Sequence, residues 1–213
     1  MAKYNLVMFD FDGTLADTFP WVLSMLSHAA EKFNLKSVDM GEIEFLRGMD
    51  THTMLKRHNI SFWKLLTMTR FFRKQMAQQV EQLSLFTGIE EVITRLAAEG
   101  YTLGIVTSNS YHNVVKVLGE RCTSLIHHFE CGVSLYGKDK KFKRILKKSQ
   151  YSPSETLYIG DEIRDLLSAR KAKIDFGAVA WGYTRLDALQ AYQPELVFNQ
   201  VSDLEQVLAG TSA

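Results

Sequence analysis

Asp10 and Asp12 stand two positions apart in VMFDFDGTLADTF at residues 7–19, behind an apolar run and just before Gly13 and Thr14. Further along, Thr107 closes the run GIVT, Lys138 follows VSLYG, and Asp161 follows LYIG. Each of these polar residues falls at or just after the end of an apolar run. In a parallel sheet, ligands bind outside the carboxyl ends of the strands, so four separate segments converge on one place. Three carboxylates there suit a hard divalent cation, while a hydroxyl, a lysine and loop amides suit a phosphate. The set specifies a magnesium ion beside a phosphoryl group.

The elements that must hold these residues follow from the pattern of apolar runs. YNLVMFD, YTLGIVTS at 101–108, ECGVSLYG at 130–137, ETLYIGD at 155–161 and IDFGAVAW at 174–181 predict strands with apolar residues on both faces, and ELVFN at 195–199 predicts an edge strand. Between them lie helical patterns such as GIEEVITRLAAEG at 88–100, where Ile89, Val92, Ile93 and Leu96 share one face and Gly100 stops the helix. This alternation predicts an α/β fold, a doubly wound parallel sheet. From Asp17 to Leu85 the rhythm changes to Met, Leu, Phe and Trp at helical spacing, as in WVLSMLSHAAEKF. A smaller helical domain over residues 17–85 is therefore expected, inserted after the first strand of a core made of 1–16 and 86–213.

Composition narrows the function classes. The 213 residues, 46% of them hydrophobic, allow one sizeable core and a smaller one. A formal net charge of +1 provides no field for nucleic acid or an anionic membrane, so affinity for anions must be local. Cys122 and Cys131 form no CxxC pair and predict buried reduced thiols. The start MAKYNLVMFDFDG lacks the features of a secretory signal, and no window is long enough to span a membrane, so a cytoplasmic protein is expected. KDKKFKRILKK at 138–148 holds seven basic residues in eleven, but Phe142, Ile145 and Leu146 form an apolar stripe that predicts a surface helix and no nucleic-acid site. The six histidines make no metal-ligand pattern.

Four motifs in this order resemble those of the haloacid dehalogenase superfamily of phosphohydrolases: DFDGT at 10–14, VTSN at 106–109, a lysine near 138, and GDEIRD at 160–165. The resemblance extends over nearly the whole chain, the helical insert standing where that superfamily carries its first type of cap, and is greatest to the branch of phosphoglycolate phosphatases. It implies that Asp10 is a nucleophile forming an aspartyl-phosphate, and that Asp12 protonates the leaving group and then activates water. It further implies magnesium held by Asp10, Asp161 and the backbone carbonyl of Asp12. Thr107, the Ser108 amide and Asn109 would bind phosphate oxygens, and Lys138 would offset their charge. Asp165, one helical turn beyond Asp161, would orient a metal water or the lysine, with Glu162 adjacent. Arg47, in LRGMD at 46–50, is the cap residue placed to read the leaving group. Gly13 would free the backbone to turn.

Two departures bear on this transfer. The family's lysine is usually followed by proline, whereas GKDKKFK offers Lys138, Lys140 and Lys141 without one; Lys138 is favoured because it follows a strand and immediately precedes a helix start. Asp17 falls at the base of the insert, where it is expected to support the hinge. A calcium loop counted from Asp10 would put Leu15 at its glycine and Trp21 at its glutamate, and a dehalogenase would lack the acid at Asp12. A response-regulator receiver carries its acceptor after a later strand and has no helical insert. The expected function is thus a phosphatase for a small phosphorylated metabolite, working as monomer or homodimer. A phosphomutase using the same residues and a non-catalytic binding protein are the alternatives.

Overall fold

A computed structural model describes residues 3–132 and 137–207. Six strands, β1 (Leu6–Phe9), β2 (Thr102–Val106), β3 (His128–Glu130), β4 (Thr156–Gly160), β5 (Asp175–Val179) and β6 (Leu196–Phe198), pair in the order β3-β2-β1-β4-β5-β6. Every pairing is parallel, so the expected doubly wound sheet is present with β6 at its edge. Helices α5 (Ile89–Ala98), α6 (Tyr111–Leu125), α7 (Lys138–Ser149), α8 (Ile163–Ala172) and α9 (Leu186–Gln190) make the connections.

Alternation along β1 explains why both faces are covered. Val7 and Phe9 join Ile105, Ile159, Ile93 and Leu118 on one face, while Leu6 and Met8 join Tyr158, Phe142, Ile145 and Leu166 on the other. These side chains are fully or almost fully buried. Each contributes about 1.5–3 kcal/mol of transfer free energy, so the sheet is clamped between two apolar layers. Register then sets the site: Phe9 lies opposite Ile105 and Ile159. Asp10, Thr107 and Asp161 therefore leave the sheet at neighbouring points along one edge.

The strand expected over residues 130–137 begins earlier, at His128, and ends at Glu130. Gly132, at φ +99°, turns the chain off the sheet and donates its amide to the Asn109 carbonyl at 2.7 Å. Residues 133–136 of that segment lie outside the described residues. Cys122 is buried as expected, whereas Cys131, on the same turn, is only partly buried.

Between β1 and β2 the chain forms α1 (Phe19–Lys32), α2 (Ile43–Leu46), α3 (Thr51–Arg57) and α4 (Phe62–Gln78). These helices make the cap, with a small core of Trp21, Met25, Met76 and Leu83. Where the chain leaves and re-enters the sheet domain, the Asp17 amide bonds to the Ser84 carbonyl and the Phe86 amide to the Leu15 carbonyl, each at 2.9 Å. The two crossings are thus tied together at the base of the cap, with Asp17 taking part through its backbone. Among the described residues no helix is long and apolar enough to cross a membrane.

Candidate active site

Asp10 leaves β1 with its amide on the Ile159 carbonyl at 2.9 Å, which anchors it to β4. Its carboxylate takes the Phe11 amide at 2.8 Å and the Lys138 ammonium at 2.7 Å. Burial works to raise the pKa of Asp10, but the charge and bond of Lys138, together with Asp165 and Arg164, outweigh it and hold the acid below its ordinary value. Lys138 is the first residue of α7, behind Gly137, and its ammonium also meets Asp165 at 2.6 Å and the Tyr158 hydroxyl at 2.9 Å. Of the three lysines, it is the one that reaches the Asp10 carboxylate. Lys140 is exposed, and Lys141 is buried elsewhere. All three Lys138 donors have protein partners, so this lysine charges and orients Asp10.

Asp12 faces the next strand's loop. The Asn109 side-chain amide donates to both of its oxygens at 3.1 Å, while the Asn109 carbonyl oxygen accepts the Ser110 amide at 2.8 Å and the Asn113 side chain at 3.0 Å. These partners fix which way the Asn109 amide points. Burial and the charge of Asp10 push Asp12 up to about 7, against the Asn109 bond. A carboxyl holding a proton near neutrality is able to deliver it to a leaving oxygen and then accept another. Thr107 is buried, and its hydroxyl takes the Asn109 amide at 3.0 Å, shaping the loop from below. Ser108 and Asn109, with Asp10 and Asp12, line a pocket of 120 Å³.

Asp161 is held by the Thr14 hydroxyl and the Tyr183 amide, each at 2.8 Å. Asp161 and Asp165 do not share a helix: Asp161 follows β4, and α8 begins only at Ile163. They still converge, since oxygens of Asp10, Asp161 and Asp165 lie within 4.8 Å of one another. All three are buried, and Lys138 is the ammonium bonded among them. Burial above all, then the charges of Glu162 and Asp10, raise Asp161 to about 8. An all-oxygen set with surplus negative charge fits a hard divalent cation. The Asp12 side chain is outside this cluster, leaving its backbone carbonyl as the expected contribution. Glu162 is occupied by Arg164, its oxygen accepting a guanidinium hydrogen at 2.7 Å.

Gly182 and Tyr183, in the loop after β5, were not singled out from the sequence. A Cβ at Gly182 would meet Asp161 Cβ at 2.1 Å, so only glycine lets this loop close over the carboxylate. Their signal was the position of WGYT behind a predicted strand, the same rule that located the other residues.

Arg47 lies apart from the pocket of Asp10. Its guanidinium donates to the carbonyls of Tyr183 at 3.0 Å and Gly182 at 2.9 Å, pairs with Glu44 at 2.7 Å, and rests over the Phe19 ring. It joins the cap to the core, and its donors are committed to the backbone, not directed at a leaving group. A second cavity of 320 Å³ lies between cap and core, walled by cap side chains such as Leu23, Leu26 and Leu55 and by Ile163 and Thr184 of the core, and it adjoins the pocket of Asp10, with which it shares Val22, Phe72, Glu162 and Tyr183.

A family model described as haloacid dehalogenase-like hydrolase matches residues 7–179. The phosphoglycolate phosphatase of Synechococcus elongatus is 28% identical over 203 residues, covering 95% of this chain and 96% of its own. The pyrophosphatase PpaX of Bacillus mycoides is 25% identical over 214 residues, covering 97% and 98%. Among solved structures, a haloacid dehalogenase-like family hydrolase from Streptococcus pneumoniae matches with TM-score 0.77 at 21% identity, over 98% of this chain and 99% of that one. CbbY from Rhodobacter sphaeroides, solved in complex with phosphate, matches with TM-score 0.72 at 17% identity over 94% and 96%. These two share the fold. With its parallel sheet, inserted helical cap and acidic cluster, the chain belongs to the haloacid dehalogenase-like hydrolases.

Proposed function

We propose that this hydrolase is a magnesium-dependent phosphatase that cleaves a small phosphorylated metabolite through an aspartyl-phosphate on Asp10. One observation carries the reading: the Asp10 carboxylate, paired with Lys138 at 2.7 Å, lines the same small pocket as Asp12, Ser108 and Asn109 and is also a member of the acidic cluster with Asp161 and Asp165. The two curated relatives, named as acting on phosphoglycolate and as a pyrophosphatase, support a compact phosphorylated substrate.

Asp10 attacks phosphorus, and the bond from phosphorus to the leaving oxygen breaks as Asp12 delivers its proton there. Water then attacks the acyl-phosphate and gives its proton to Asp12, releasing phosphate and restoring Asp10. Ser108 and Asn109 hold the phosphoryl oxygens from the side, and Asn109 also keeps Asp12 oriented. Asp10, Asp161 and the Asp12 carbonyl would hold the magnesium, with Asp165 steadying Lys138 behind them. When bound, the ion neutralises charge on the transferring group.

The test is phosphate release from a panel of phosphorylated metabolites, with and without magnesium, by the native chain and by Asp10→Asn. The variant is expected to keep its fold and its melting profile while turnover falls at least 1,000-fold, on the order of the loss seen when a nucleophile is removed. Near-native turnover by the variant refutes the assignment. Product analysis that finds the phosphoryl group on a sugar acceptor instead of in free phosphate refutes hydrolysis.

A further inference from the structure

Among the described residues, the pocket above Asp10 holds one cation with no protein counter-charge. Arg73, on α4 of the cap, lines it together with Asp10, Asp12, Ser108 and Asn109. The other guanidinium there, Arg164, is neutralised by Glu162. Among the described residues Arg73 forms no side-chain hydrogen bond or ion pair, and its Nε is buried without a partner. A desolvated guanidinium nitrogen left unmatched costs free energy, and the neighbouring Arg70 adds repulsion. A partly buried guanidinium so placed is open to completion by a ligand in the pocket.

Its position says what that is. α4 is held against the start of α6, because the Asn113 side chain donates to the Arg73 carbonyl at 3.1 Å and Asn109 approaches the Met76 sulfur at 3.0 Å. The guanidinium is therefore carried on an element locked to the loop that holds Asn109, on the cap side of a pocket whose floor is Asp10 and Asp12. A phosphoryl group on Asp10 would extend its leaving group away from that floor, towards the cap. Around it the cap wall is mostly apolar, with Trp21, Val22, Phe72 and Met76, and its other polar side chain is the neutral Thr69, so Arg73 is the charge the cap presents there. A planar fork of N–H donors matches a carboxylate or a second phosphate bidentately.

We infer that Arg73 is the specificity-determining residue of this site, and that the substrate is a short phosphate ester or anhydride whose leaving group carries a second anion within a few atoms of the scissile bond. The inference rests on the phosphatase reading. Within this pocket of 120 Å³ a leaving group that meets Arg73 does so a few atoms from the scissile bond. The alternative occupant, a long apolar leaving group, would pass Arg73 by and extend into the adjoining 320 Å³ cavity between cap and core.

The experiment compares kcat/KM on 2-phosphoglycolate and ethyl phosphate, which match in size and differ in the terminal carboxylate, together with p-nitrophenyl phosphate and n-octyl phosphate. It uses the full chain, Arg73→Met and Arg73→Lys, all with magnesium. The native chain is expected to favour phosphoglycolate over ethyl phosphate. Arg73→Met should lower that ratio by about 100-fold, the size of a lost charge-assisted bidentate contact, with Arg73→Lys recovering part of it. An equal fall on both esters, no change in the ratio, or a native preference for octyl phosphate overturns the inference. No release from any ester by the native chain, p-nitrophenyl phosphate included, refutes the phosphatase reading and this inference with it. Release whose discrimination ignores both substitutions refutes this inference alone.

Discussion

A single methyl group separates Gly182 from a blocked site. The Cβ of an alanine there would stand 2.1 Å from Asp161 Cβ, and one at Gly13, whose φ is +77°, would stand 2.4 Å from Asp161 Oδ2. Two backbone segments distant in sequence thus close on one carboxylate, which the Thr14 hydroxyl and the Tyr183 amide then aim. Gly182→Ala must displace Asp161 or open the loop. The magnesium concentration for half-maximal activity is expected to rise about 10–100-fold, as when a metal's supporting residues are changed, with a smaller effect on stability. Activity titrated against magnesium, alongside a melting curve, checks this. At this scale Asp10, Asp12, Thr107 and Asp161 were legible because each belongs to a short motif in which the neighbours in sequence are also the neighbours in space. Gly182 and Arg73 were not, because the residues each one faces come from elements far along the chain.

Lys141 shows what an element requires of one side chain. Its ammonium donates to three backbone carbonyls, of Thr107 at 2.7 Å, Gly132 at 2.8 Å and Glu130 at 3.1 Å. It thereby ties the ends of β2 and β3 and the following turn to α7. Burial and nearby Lys138 lower its pKa to about 8, so it still carries its charge at neutral pH. Lys141→Met leaves those carbonyls short of a donor and is expected to cost about 2–4 kcal/mol, lowering the melting temperature by roughly 5–10 °C. KM should rise as the Thr107–Asn109 loop loosens, which steady-state kinetics beside the melt would show. The stripe of Phe142 and Ile145 makes α7 readable as a helix, and apart from the candidate site lysine its charges are expected on the solvated side. Lys138 and Lys141 turn inward because they stand three residues apart, on the buried side of the helix, an arrangement that hydropathy alone scores as surface. The early end of β3 has the same origin, since the turn at Gly132 is held by Asn109 and Lys141 and not by local propensity.

Across the whole molecule, cap and core meet through a clasp of arginines. Arg47 grips the carbonyls of Gly182 and Tyr183, the Arg185 amide returns a bond to the Arg47 carbonyl at 3.0 Å, and the Arg185 side chain reaches the Glu44 carbonyl at 3.2 Å. The clasp seizes the loop that closes over Asp161, so cap position and acidic cluster are mechanically joined. Arg47→Ala is expected to weaken closure, raising KM about tenfold while kcat changes less. Amide hydrogen exchange should quicken at residues 182–185, and unchanged exchange there would contradict the clasp. The sequence by itself determined the parallel sheet, the helical insert after β1 and the acidic motifs at the strand ends, because periodicity, strand-end position and short motifs are properties of neighbours along the chain. Only the tertiary structure decided that Lys138 meets Asp10 while Lys141 braces the backbone, and that Arg47 is bound to the core while Arg73 faces the pocket. Which of several like charges finds a partner depends on burial and distance between separate elements, and the order of residues does not encode those directly.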